Sequence, residues 1–216
     1  MHWPVPASVL RPRIPSSFDL DLLDGDAYVG VVPFAMEGVR PKIVPEAAAF
    51  AFLETNVRTY VTRNGEPGVY FFSLEAESIL AVAAARVAFS LPYFHARMSL
   101  TEQAGEVHDV RYRTRRVRGS HASHEVHYRL GEMLGPSMPG TVEHFLLERY
   151  LLFTERGGRP WKGQVHHSPY PAQRAEVLSV RDELVVAAGL PAVAGMPTFT
   201  HYASGVDVEV FALERA

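Results

Sequence analysis

The run from Phe50 to Leu74 limits what this chain can fold into more than any other stretch. Side chains alternate between the two sides of extended backbone. In Phe50-Ala-Phe-Leu-Glu-Thr-Asn-Val-Arg-Thr-Tyr-Val61 this places Phe50, Phe52, Glu54, Asn56, Arg58 and Tyr60 on one side, and Leu53, Val57 and Val61 on the other. Asn64-Gly65 is a strong two-residue turn signal, and Gly68-Val-Tyr-Phe-Phe-Ser-Leu74 reads as the returning strand. The result is a hairpin, and with it antiparallel sheet. The apolar side is core. The other side begins with two aromatics and continues as acid, amide, guanidinium and phenol. It suits the wall of a polar-lined pocket or the wet side of a two-sided strand, and periodicity alone does not separate them.

A chain of 216 residues can bury a sizeable core and reads as one domain, 1–216. Its longest apolar run, Ile79 to Ala85, falls far short of the roughly 18 residues a membrane span needs. Met1-His-Trp-Pro-Val-Pro lacks the basic and apolar regions of a secretory signal, so the expected location is cytoplasmic. The absence of cysteine excludes disulfides, thiolate nucleophiles and Cys-ligated zinc. A net charge of -3 points to neither a nucleic-acid nor a membrane partner. Lys42 and Lys162 are the only lysines, so amine chemistry has two side-chain candidates.

The Pro-rich opening through Ser16-Ser17 reads as extended or irregular chain. Ala27 to Met36 reads as a buried strand, with Pro33 marking an edge or an interruption, and Gly38 to Pro45 as a loop. From Glu75 the chain is dense in alanine with acids first, which predicts a helix ending before Leu91-Pro92. Tyr93–Leu100, Val107–Val117 and a strand through Val126-His-Tyr predict a meander. Arg111, Arg113 and Arg115 share one face of it, as a phosphate-contacting stripe or, in keeping with the negative total charge, a solvated outer face. Thr141 to Leu152 reads as a second helix capped by Thr141. Strands over Trp161–His167 and Ala175–Val180 follow, then a short helix Arg181–Ala188 closed by Gly189 and a terminal hairpin of Thr198–Tyr202 with Val206–Phe211. The fold class is α+β: a large barrel-like sheet of mostly antiparallel strands, with two main helices between them.

Ten histidines raise the question of a metal. On a strand His121 and His127 face one way and His124 the other, and there is no His-Glu-x-x-His, so no metal site is expected. The adjacent pair His166 and His167 also points to opposite faces. No Gly-x-Ser-x-Gly elbow and no glycine-rich phosphate loop is present, and no cofactor is expected. His144 and Glu148, four apart on the second predicted helix, could act as acid and base or simply pair. The polar strand offers more. Arg58 can grip a carboxylate through two parallel hydrogen bonds, and Glu54 could exchange a proton if burial raised its pKa. The same two residues could instead form a structural ion pair capped by Tyr60.

Asp24-Gly25 with Tyr28-Val-Gly-Val-Val-Pro-Phe-Ala-Met36, Asn56-Val-Arg58-Thr-Tyr60-Val61, Gly68–Leu74, Glu143-His-Phe-Leu-Leu-Glu-Arg-Tyr150 and His166-His167-Ser-Pro169-Tyr170 resemble the YqjF-like family of uncharacterised bacterial proteins. That family is more remotely similar to the acetoacetate decarboxylase superfamily, which implies a β cone or barrel with a pocket inside. The resemblance places Glu54 at the superfamily's strand glutamate, and Arg86 and Pro92 in the segment leading to its Schiff-base lysine. The two lysines of that segment are Tyr93 and Phe94 here. An imine needs an amine, so no Schiff-base decarboxylase activity is expected.

Two readings follow. One is an enzyme using Glu54 and Tyr93 for proton transfer on a small oxo or hydroxy acid bound by Asn56, Arg58, Tyr60 and Arg86. The other is a non-catalytic binding or scaffold protein that keeps the pocket. His144, Glu148, His166 and His167 wall the pocket or hold the second helix in either case. The resemblance also allows a homo-oligomer.

Overall fold

The computed structural model describes residues 1–40, 47, 49–79, 82, 90–105 and 108–216. Within them the chain runs β1 (His2–Val5), α1 (Ala7–Leu10), β2 (Asp19–Leu20), β3 (Ala27–Val39), β4 (Phe50–Arg63), β5 (Glu66–Ala76), β6 (Tyr93–Gln103), β7 (Asp109–Arg116) and β8 (Ser123–Met133). It continues as α2 (Val142–Leu147), β9 (Leu151–Arg156), β10 (Arg159–His167), β11 (Ala172–Asp182), α3 (Leu184–Ala187), β12 (His201–Ala203), β13 (Val208–Val210) and β14 (Glu214–Arg215). The strands form one curled, half-barrel sheet, ordered β1-β3-β4-β5-β6-β7-β8-β11-β12, with β9 joining β5 to β10. None of the described helices is long and apolar enough to cross a membrane.

Local chemistry explains the central hairpin. Asn64 and Gly65 both take positive φ, +52° and +81°, which matches the turn twist to that of the strands β4 and β5. Pairing runs from Arg63↔Glu66 to Glu54↔Ala76, with Phe72 as an extra residue between Ser73↔Val57 and Phe71↔Arg58. Pro33 sits on β3 beyond its last pairing with β1, at Gly30, so its missing N–H leaves no ladder bond unmade on that edge.

Both sides of β4 are covered. Val57 packs with Trp3, Leu10, Val31, Leu184 and Val185, and Val61 with Ile14, Phe18 and Phe153. On the other side Tyr60 packs with Tyr28, Leu74, Leu146 and Leu152 beneath α2. The wet-face reading of β4 is therefore overturned: Glu54 and Asn56 are each 4% exposed and Tyr60 is 0% exposed.

The meander and the segregation of its faces stand as expected: Arg111, Arg113 and Arg115 are exposed, while Tyr112, Thr114 and Arg116 are buried. His124 is buried and His127 lies on the opposite face of β8, near Asp109. Four expectations need correction. The Pro-rich opening is extended at β1, as expected, but also holds the helical turn α1. Glu75 and Ala76 belong to β5, because β4 and β6 pair with them on either side; Ile79 and Val82 are helical, and the rest of that predicted helix, with Arg86, lies outside the described residues.

The second helix stops at Leu147, and Leu151–Arg156 is a strand. Its apolar spacing fits either state; the Gly157-Gly158 turn, with φ of +55° and +70°, lets it fold back onto β10 instead. The terminal segments do not pair with each other: β12 joins β11 and β13 joins β10.

Candidate functional site

Glu54 and Tyr93 come together although 39 residues apart, because β6 runs parallel to β5 and sets Tyr93 opposite Leu74. The Tyr93 hydroxyl donates to Glu54 Oε2 at 3.1 Å. Burial lifts the Glu54 carboxyl to about 8, against the opposing pull of that hydrogen bond and helped by the charge of Glu75. Burial, then the neighbouring Glu54 charge, also pushes the Tyr93 phenol up. Near neutral pH the pair is a carboxylic acid and a phenol.

Asn56 and Arg58 follow along the same side of β4. Among the described residues Asn56 Oδ1 is buried without a hydrogen-bond partner. Arg58 donates from Nη2 to the Leu146 carbonyl at 3.3 Å, while its buried Nε finds no partner among the described residues. No carboxylate pairs with Arg58 among the described residues, so the alternative of a structural Glu54–Arg58 ion pair does not form. Four residues apart on one strand, the two start roughly 13 Å apart along it, and Tyr93 takes Glu54 while the end of α2 takes Arg58.

Gly30 lies between His2 and Arg58 across three strands, and a Cβ there would meet His2 Cδ2 at 3.0 Å and Arg58 Cγ at 3.3 Å. Tyr60 is tied into the framework, donating to Leu146 O at 2.9 Å with its oxygen 2.8 Å from His2 Nε2. Burial first, then neighbouring positive charges including Arg58, holds the His2 imidazole well below its ordinary range.

The remaining expected residues separate. His144 and Glu148 do not meet as a helical pair, since Glu148 leaves the helix with φ of -90° and ψ of 81°. Its buried carboxylate accepts instead from Tyr150 Oη at 2.7 Å, Tyr170 N at 3.1 Å and Ser137 Oγ at 3.3 Å. His166 is exposed, whereas His167 is buried between the rings of Tyr150 and Tyr170, each at 4.6 Å. These contacts pin the turn after β10. Tyr170, which the sequence reading gave no role, is close enough to Arg58 for the guanidinium to oppose the upward shift that burial imposes on its phenol. Lys162 is held in ion pairs to Glu66 at 2.8 Å and Glu214 at 3.8 Å; Lys42 lies outside the described residues.

A match over residues 1–207 assigns this arrangement to DUF2071, described as an uncharacterized conserved protein. The chain belongs to that family. Its similarity to the uncharacterized protein YqjF of Bacillus subtilis is 36% identity over 215 residues, 99% of this chain and 87% of the relative.

Among solved structures, the DUF2071 chain resembles acetoacetate decarboxylase from Legionella pneumophila, with a TM-score of 0.61 and 11% identity, covering 100% of this chain and 82% of that one. It also resembles the enduracididine biosynthesis enzyme MppR, solved with pyruvate, with a TM-score of 0.59 and 13% identity, covering 98% and 82%. At such identities the shared property is the fold, and the acetoacetate decarboxylase-like architecture of the sheet is established by it.

Proposed function

We propose that this DUF2071 protein catalyses proton transfer on a small oxo or hydroxy acid in a pocket on the Glu54 side of β4, without an imine. The observation that carries the reading is the Glu54–Tyr93 pair: a carboxyl held near pKa 8 and hydrogen-bonded to a phenol. A proton donor or acceptor works best when its pKa lies near the operating pH. Tyr93 stands where the amine of the decarboxylases would be, and a phenol can polarise a carbonyl oxygen but cannot form an imine. Further along the same side of β4, Asn56 Oδ1 and Arg58 Nε are polar groups without a hydrogen-bond partner among the described residues, and a guanidinium suits the carboxylate of the acid. Pyruvate bound to MppR, on the same fold, supports the size and class of the ligand. The competing reading, a binding protein without turnover, draws on Arg58 and Tyr60, whose bonds to Leu146 are those of a framework.

Pyruvate in D₂O, followed by proton NMR, separates the two. Enzyme-dependent loss of the methyl signal, abolished in Glu54→Gln while pyruvate still binds, is the expected result. Saturable binding with no exchange in the wild type would establish the receptor reading. Neither binding nor exchange would remove the small oxo acid from consideration.

A further inference from the structure

The side of the sheet facing away from Glu54 and Tyr93 carries a second buried polar group that nothing in the proton-transfer reading uses. Three successive inward residues of β7 make it. The Tyr112 hydroxyl is shared between two carbonyls, Glu54 O at 3.0 Å and its cross-strand partner Phe34 O at 2.9 Å. Thr114 Oγ1 is 2.8 Å from Oγ1 of Thr55, the residue after Glu54. Arg116 donates from Nη2 and Nε to Glu75 Oε1, at 2.6 and 2.9 Å. Its guanidinium also lies 3.9 Å from the ring centroid of Phe94, the residue after Tyr93.

The register makes these contacts one device. Glu75 is the cross-strand partner of Thr55 on one side and of Phe94 on the other. Tyr112 therefore bonds the backbone of Glu54 and of its β3 partner Phe34, while Thr114 and Arg116 hold the side chains of Thr55, Glu75 and Phe94, which stand next to Glu54 on β4, on β5 and next to Tyr93 on β6. Tyr112, Thr114, Arg116, Thr55 and Glu75 are all at most 4% exposed. Polar groups buried this deeply cost free energy unless their bonds are made, and an apolar filling would pack these strands without that cost. What the polar version adds is direction: each bond fixes a backbone or side-chain position within hydrogen-bonding tolerance, where a proton-transfer pair needs it.

We infer that Tyr112 and Thr114, with the Arg116–Glu75 pair, are positioning residues that set the Glu54–Tyr93 contact from the opposite side of the sheet. The inference rests on the proton-transfer reading for its purpose, but its geometry is testable without any substrate. Tyr112→Phe and Thr114→Val each remove a hydroxyl at nearly constant volume, so both variants are suited to fold. The readout is the titration of the Glu54 carboxyl by ¹³C NMR, together with that of the Tyr93 phenol by ultraviolet difference. Among the described residues Tyr93 and Glu75 act on Glu54, Glu54 acts on Tyr112, and Arg116 faces Glu75; selective labelling keeps the titrating groups apart.

Loosening the grip lets Glu54 leave its buried contact. Its proton affinity is expected to fall by about tenfold in either variant, and the Tyr93 phenol to titrate earlier. Phe153→Leu, which lowers stability from the far end of the sheet, should leave both titrations in place. Wild-type titrations in both Tyr112→Phe and Thr114→Val would overturn the inference. Failure of pyruvate exchange with these shifts intact would remove the proposed reaction and leave the positioning device standing.

Discussion

Glu54 titrates near pH 8 in the folded protein, against an ordinary value of 4.5. Between those values the native state holds a proton that the unfolded chain has released, so stability falls as pH rises through that window. Glu54→Gln removes the titration. The variant should match the wild type near pH 5 and exceed it at pH 8 by a few kcal/mol, measured as urea midpoints at the two pH values. An identical pH dependence in both proteins would mean that the carboxyl reaches water. The same burial that makes Glu54 useful for proton transfer thus makes it a cost to the fold, in keeping with the strain that functional groups place on stability.

At the level of elements, the parallel join of β5 to β9 depends on a missing side chain. A Cβ on Gly68 would lie 2.6 Å from the Leu151 carbonyl oxygen and 2.7 Å from Phe153 Cε2, immediately before the pairs Val69↔Leu152 and Tyr70↔Phe153. Backbone oxygen does not yield as a flexible side chain does. Gly68→Ala is expected to cost about 2–3 kcal/mol, seen as a lowered melting temperature. Gly163→Ala serves as the comparison, because its nearest obstacles are the side chains of Leu213 at 3.0 Å and Leu152 at 3.2 Å. An equal loss in both would show that β9 can move away from β5. Since β9 and β10 close over the side of β4 that carries Tyr60, this join also fixes the cover of the candidate site.

For the whole molecule, the sheet has the acetoacetate decarboxylase-like fold, and the chemistry proposed on it uses no amine. The Lys162 hydrogen bond to Glu66 raises its pKa above the ordinary lysine range, which keeps it protonated and poorly nucleophilic. Borohydride added with acetoacetate should leave every tryptic peptide unmodified; an adduct on Lys162 or Lys42 would restore an imine route. The sequence by itself determined the hairpin, because Asn64-Gly65 tolerates the positive φ its turn requires, and the meander, because a two-residue period that sets Arg111, Arg113 and Arg115 on one face is a local property. It could not tell helix from strand at Glu75 and Leu151, where alanine content and apolar spacing suit both and the pairing partners decide. Only the tertiary structure decided that Glu54 bonds Tyr93 rather than Arg58, that Glu148 leaves His144 for Tyr150 and Tyr170, and that Glu54, Asn56 and Tyr60 are buried. Those outcomes depend on which groups the curled sheet brings within 3 Å or so of each other, and alternation along one strand carries no information about what closes over it.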